Sequence, residues 1–298
     1  MIAQQSRTLS CMNPFEAVTH PDPYPYYAEL ATRGLHFDDS LSMWIAPDDA
    51  SVRAVLTSSA CRVRPAPVSG VLTELARVND GERHTTLRQD VDSILSAIDF
   101  DECAAVVDDI ESFQFSMPVM TMARLLGVEI SLDEVRAFAN VVFGGASTPP
   151  GQPACRPALL GLLARTLDAT AGLIGNAVVA MARDASLSPR DAVDHALRFD
   201  PPVHNTRRFV AEDVTIGNVT LRAGDAIVVI LIKHPFGVGV HACPGEQLAT
   251  TIASCAVQAV VDRYDPRAIA LPVKYRDMKN ARIALLRQPQ HGAQSAQL

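Results

Sequence analysis

The chain has 298 residues, 48% of them hydrophobic and 20% charged, a balance that supplies a core and excludes disorder, collagen and a disulfide-stapled miniature. Lys and Arg number 26 against 33 Asp and Glu, a net −7, so no basic surface invites nucleic acid or an anionic membrane. At about 150 residues per domain, the length allows two domains or one large one.

No stretch approaches the roughly 18 uncharged apolar residues of a membrane span. The longest apolar run, Ala226 to Ile232, is strand-sized and stops at Lys233. The N-terminal residues carry no apolar segment of the secretory kind. Six cysteines at irregular spacing, with no Cys-x-x-Cys, predict reduced thiols in a cytoplasm.

In chain order, a proline-punctuated stretch from Asn13 to Pro25 precedes a short helix from Tyr26 to about Thr32. A hairpin around Leu35 to Ala46 holds the single tryptophan, Trp44, and helical spacing returns from Ala50 to Leu56. Residues 74 to 143 read as largely helical, with Val106, Ile110 and Phe113 on one apolar face and Met120, Ala123 and Leu126 on another. Half of the segment Gly144 to Pro157 is Gly or Pro, which predicts a loop or linker. Helices follow over about Leu159 to Asp184 and Pro189 to Phe199, the second stopped by Pro201 and Pro202. Two short β runs split by Gly217-Asn218 read as a hairpin, and the strand run from Ala226 comes next. A helix over Gly245 to Tyr264 carries Leu248, Ile252, Cys255 and Ala259 on one face. The tail from residue 289 to 298 is polar and predicts a frayed end.

The chemistry concentrates in FGVGVHACPGEQLA, residues 236 to 249. Phe236, Gly237, Gly239 and His241 lead to Cys243, and Pro244-Gly245 lead into a helix. Glycines let backbone pass close to a flat ligand and take dihedrals closed to other residues. A cysteine at a helix mouth meets orphan N–H groups and the positive end of the dipole, which stabilise a thiolate. Pro244 suits a first-turn slot, where a missing N–H costs nothing.

This string resembles the haem-binding signature of the cytochromes P450, in which the cysteine ligates iron. The resemblance runs in order along most of the chain. NDGERHTTLR, residues 79 to 88, is similar to the helix whose His and Arg reach a haem propionate, which implies His84 and Arg88. LDATAGLIGNAV, residues 167 to 178, resembles the long distal helix. DHALRFDPPVHNTRRF, residues 194 to 209, resembles the Glu-x-x-Arg helix and the strand after it, which implies a propionate role for Arg207. The resemblance implies a mostly α, single P450-like domain over 1–298 with a small β portion. It implies haem b, Cys243 on the metal, and Phe236, Gly237, His241 and Gly245 around the cofactor. Arginine's planar fork suits propionates on chemical grounds as well.

Four departures accompany the resemblance. Aligning on the distal helix puts Asp168 at the family's acid and Ala169 at its alcohol. Thr170 falls one step, about 100° of helix, away from the alcohol position, unless a bulge intervenes. The Glu of Glu-x-x-Arg falls on His195, three residues before Arg198, with Asp194 as the neighbouring carboxylate. Lys233 joins Ile232 almost directly to the cysteine loop, without the family's irregular meander. Residues 144 to 157 stand in place of substrate-covering helices.

The expected function is therefore a shortened haem-thiolate oxidoreductase. It would be a monooxygenase of a small organic substrate, cytoplasmic, and fed by an external ferredoxin or reductase because no flavin, iron–sulfur or nucleotide motif occurs. Peroxide-driven or redox-neutral chemistry is the alternative that Ala169 suggests. A non-catalytic haem- or partner-binding protein, with a homo- or hetero-oligomer covering an open pocket, is the other.

Overall fold

The β-branched run Ala226–Ile230 forms β7, buried along nearly its whole length because it is the middle strand of the sheet. The computed structural model describes residues 12–64, 69–99, 107–144 and 156–289. These fall into two units. The first comprises 12–64, 203–241 and 275–282, and the second comprises the remainder.

The first unit holds the sheet, in the order β1-β2-β7-β4-β3. The strands are β1 (His36–Asp38), β2 (Met43–Ala46), β3 (Cys61–Arg62) and β4 (Asn205–Val210) around β7. Among the described strands only the β2–β7 pairing is parallel. The predicted hairpin at Gly217-Asn218 is present as β5 (Val214–Ile216) and β6 (Val219–Leu221). Helices α1 (Pro14–Ala17), α2 (Tyr24–Thr32) and α3 (Asp49–Thr57) complete the unit. Asp48 caps α3, accepting from the backbone N–H of Ala50 and Ser51 at 3.0 and 3.1 Å. Arg282 is 1% exposed. Its guanidinium donates to the carbonyls of Val18, His20 and Pro21 at 2.7–3.2 Å and lies 3.6 Å from the Tyr275 ring centroid.

The second unit is helical: α4 (Gly81–Ser96), α5 (Ile110–Leu125), α6 (Leu132–Gly144), α7 (Pro157–Arg183), α8 (Pro189–Phe199), α9 (Glu246–Val261) and α10 (Pro266–Ala270). The long α7 is the hub, packing on α5, α6, α8, α9 and α10. A buried amide network ties segment 284–286 to it. Gln114 donates to the carbonyls of Ala171 and Ala284 and accepts from Leu286 N–H. Asn176 accepts from Ala284 N–H and donates to Asp200 O. The close approach needs Gly175, where an added Cβ would lie 2.1 Å from Ala284 O.

Several expectations shift. Helix α7 is long and apolar enough to cross a membrane, which the sequence reading did not anticipate. Most of its apolar window is buried inside the molecule, as in the core helix of a helical bundle. Met120 is 43% exposed, because α5 turns Met117, Val119, Met122 and Ala123 inward instead. On α9 the buried face is Leu248, Ile252, Ala253, Ala256, Val257 and Val260, while Cys255 and Ala259 flank it. Val106, residues 145–155 of the Gly/Pro-rich segment, the tail from 290, and Cys11, Cys103 and Cys155 lie outside the described residues.

Candidate functional site

In the second unit Cys243 is a free, half-buried cysteine. Pro244 and Gly245 follow, and Gly245 is the N-cap of α9, without a side-chain capping bond. Pro244 therefore precedes the cap rather than filling the first turn, a correction of one turn position. The four leading N–H groups of α9 still face the loop end, where helices stabilise negative charge.

Arg88 reaches this loop from α4. Its Nη1 donates to Ala242 O at 2.7 Å and its Nε to Asp92 at 2.8 Å. His84, one turn earlier on α4, is 5% exposed. A cleft of about 350 Å³ opens beside the loop, lined by Asp92, Leu95, Ser96, Pro244, Gly245 and Leu248 among others.

On α7, Asp168 and Ala169 are half-buried whereas Thr170 is 3% exposed. The helix is uninterrupted α from Pro157 to Arg183, so no bulge brings Thr170 into the place of Ala169. Among the described residues, no ion pair joins the Glu-x-x-Arg positions His195 and Arg198. Asp194 is 3.5 Å from Arg190, Arg198 stacks 5.0 Å over Phe199, and His195 tilts against the same ring at 4.7 Å. His195, Arg198 and Phe199 are all exposed. Asp194 is thus no substitute for the missing glutamate, because its i−4 neighbour Arg190 claims it.

In the first unit Arg207 is exposed, its guanidinium 5.3 Å from the Phe15 ring centroid. Alternation along β4 turns Arg208 inward instead. That side chain is 7% exposed and donates to Arg207 O at 2.8 Å. The buried arginine of this strand is therefore Arg208, and period-two reading from the apolar Val210 was the signal that would have found it. Burial raises the pKa of the nearby Cys61 thiol, opposed by a Ser58 hydrogen bond and by the charge of Arg208.

Between β7 and the cysteine loop the chain makes two tight turns, His234 N–H to Leu231 O and Gly237 N–H to His234 O. The His234 ring bonds Asp49 at 2.7 Å, which lowers the Asp49 pKa. Sequence reading missed this pair because 185 positions separate its members. Phe236, Gly237 and His241 are half-buried. Gly237 and Gly239 have φ of 71° and 76°, and a Cβ on Gly239 would lie 2.7 Å from Leu56 O. Both glycines meet the expected backbone requirement.

No protein-family model matches the chain. Cytochrome P450 107B1 of Saccharopolyspora erythraea is 28% identical over 244 residues, covering 56% of this chain and 60% of that protein. Vitamin D(3) 25-hydroxylase of Pseudonocardia autotrophica is 35% identical over 116 residues, 28% of each. The chain thus spans at most about 60% of the length of these curated relatives. Among solved structures, cytochrome P450 260B1 of Sorangium cellulosum So Ce56 superposes with a TM-score of 0.67 at 20% identity, covering 93% of this chain and 99% of that one. Cytochrome P450 CREJ superposes at 0.64 and 18%, covering 92% and 97%. Identities this low establish the fold alone, mostly helical with a small sheet. These curated and solved relatives are cytochromes P450, the family the chain resembles. That family implies a haem cofactor.

Proposed function

We propose that the chain is a haem-thiolate oxidoreductase of the monooxygenase type, acting on a small organic substrate in the cytoplasm, with Cys243 as the iron ligand. The observation that carries this reading is Cys243 itself, a free, partly accessible thiol set just before an uncapped helix N-terminus. A soft thiolate suits haem iron, so the donor chemistry fits the group the family implies.

The cofactor would be haem b, which supplies redox chemistry at iron. Cys243 would hold it as a thiolate, the α9 N-terminus stabilising the negative sulfur. His84, Arg88 and Arg207 would be candidate partners for the propionates, and Arg208, the buried cation of β4, is a further one. Asp168, half-buried on α7, would hold or pass a proton. Electrons would come from an external ferredoxin or reductase.

Peroxide-driven or redox-neutral turnover is the second reading, and α7 favours it. Ala169 offers no hydroxyl beside Asp168, and Thr170 is buried on another face of the helix, which leaves a dioxygen proton relay one member short.

The reduced, carbon-monoxide-bound absorption spectrum after adding haem tests the main reading. A red-shifted Soret band that disappears in Cys243→Ser supports thiolate ligation. An unshifted band, or no haem uptake, overturns it. Thr170→Ala then separates the two turnover modes, since a collapse in oxygen-coupled turnover on that change would refute the second.

A further inference from the structure

We propose that α3 splints the start of the cysteine loop, and that His234 and Asp49 are the positioning pair that fastens the loop to it. The inference rests on the reading of Cys243 as iron ligand. After β7 the chain makes its two tight turns about His234, and the ring Nε2 donates to Asp49 Oδ1 at 2.7 Å. Asp49 opens α3, and Arg53, one turn on, donates to both of its carboxylate oxygens at 3.1 and 3.2 Å. The His234 side chain is 9% exposed and that of Asp49 55%, so the histidine is the buried end of the pair.

The same helix touches the loop twice more. Val238 packs on the apolar cluster that holds Val52, Val55 and Leu56 of α3. Gly239 lies against the last turn, where a Cβ would stand 2.7 Å from Leu56 O and 3.3 Å from Thr57 Cγ2. Apolar contact is non-directional, and a glycine has no side chain to aim, so these two contacts let the loop slide along the helix. The bond between imidazole and carboxylate is directional and fixes the register. It is also the largest of the influences that hold the Asp49 carboxyl below the usual carboxylate range. Lys233 joins Ile232 almost directly to the loop, without the meander of the family that the chain resembles. Few residues are therefore left to absorb a slip at His234 before it reaches Cys243.

The test is hydrogen–deuterium exchange in the haem-free full chain, read by mass spectrometry on peptides covering β7 and residues 232–240. His234→Phe keeps a ring and removes the bond, whereas His234→Gln keeps an amide nitrogen near the place of Nε2. Exchange over 232–240, where the His234 and Gly237 amides are bonded, should quicken about two- to fivefold in His234→Phe, the range for losing one ion pair with an exposed partner. It should return close to the parent rate in His234→Gln, with β7 steady in both. Asp49→Ala leaves the Asp48 cap of α3 in place; it should match His234→Phe, and it carries the test should that variant fail to fold. After haem is added, His234→Phe should move part of the carbon-monoxide complex toward the neutral-ligand band, and His234→Gln should not. Unchanged exchange, or a rise that spreads through β7, overturns the pair as a positioning device. Faster exchange in the loop with an unaltered carbon-monoxide band overturns it as well. A parent chain without the red-shifted band defeats the reading of Cys243 instead, and the haem-free exchange rates stand apart from that result.

Discussion

The Nε2 amide of Gln114 lies 2.7 Å from the carbonyl oxygen of Ala284 and 3.0 Å from that of Ala171, with no part of Gln114 exposed. Residues 170 positions apart are thereby clamped to the same stretch of α7. Gln114→Leu keeps the volume but strands the Ala284 carbonyl and the Leu286 N–H, at a cost of about 2–4 kcal/mol. Denaturant titration should show this as a lower midpoint with an unchanged slope, and an unchanged midpoint would refute the clamp.

Gly175→Ala should destabilise although alanine is the better helix former. The added methyl would meet the Ala284 carbonyl at 2.1 Å, and forced overpacking costs about 1–3 kcal/mol. A thermal melt showing a gain would mean that segment 284–286 yields easily.

The two arginines of β4 should part company. Arg207→Ala removes an exposed cation over Phe15, with an effect within about 0.5 kcal/mol. Arg208→Ala empties a buried position and should lower both thermal stability and haem retention in a spectroscopic titration. Equal responses would put the assignment of Arg208 aside.

His195→Glu rebuilds the family's Glu-x-x-Arg letters, yet it should change stability by no more than about 0.5 kcal/mol. Arg198 is exposed and occupied by Phe199, so the new pair forms in water. A large gain in melting temperature would show that the pair still organises the core.

Asp109 predicts an acid limb. Ser112, through its hydroxyl and backbone N–H, and then Gln288, bond the carboxylate and lower its pKa from 3.8 to about 2. A group depressed in the folded state contributes stability above its unfolded value, and that contribution is lost as pH falls toward the folded value. Stability of the parent should therefore fall between about pH 4 and pH 2 more steeply than that of Asp109→Asn, followed by circular dichroism. Parallel curves would contradict the assignment.

Period and punctuation made most elements legible: the hairpin at Gly217-Asn218, helix 157–183 within two residues, and the stop at Pro201-Pro202. These are local effects, set by turn dihedrals, proline's missing donor and apolar spacing. The cysteine loop was legible too, because glycine, cysteine and a helix start are all adjacent in the chain. What escaped was direction. Met120 and Cys255 sit on helices whose apolar residues nearly encircle the axis, so only the packed neighbours decide which arc is inward. Arg207 and Arg208 carry the same letter, and only the sheet's pleat sends one out and one in. The grips of Arg88 on Ala242, Gln114 on Ala284 and His234 on Asp49 join positions 154, 170 and 185 residues apart. Sequence by itself determined the local elements and the glycine-bounded setting of Cys243 before a helix, because both are written in neighbouring residues. Tertiary structure alone decided which side chains meet across the chain, as Arg88 meets the Ala242 carbonyl, because a hydrogen bond depends on distance in space and not along the chain.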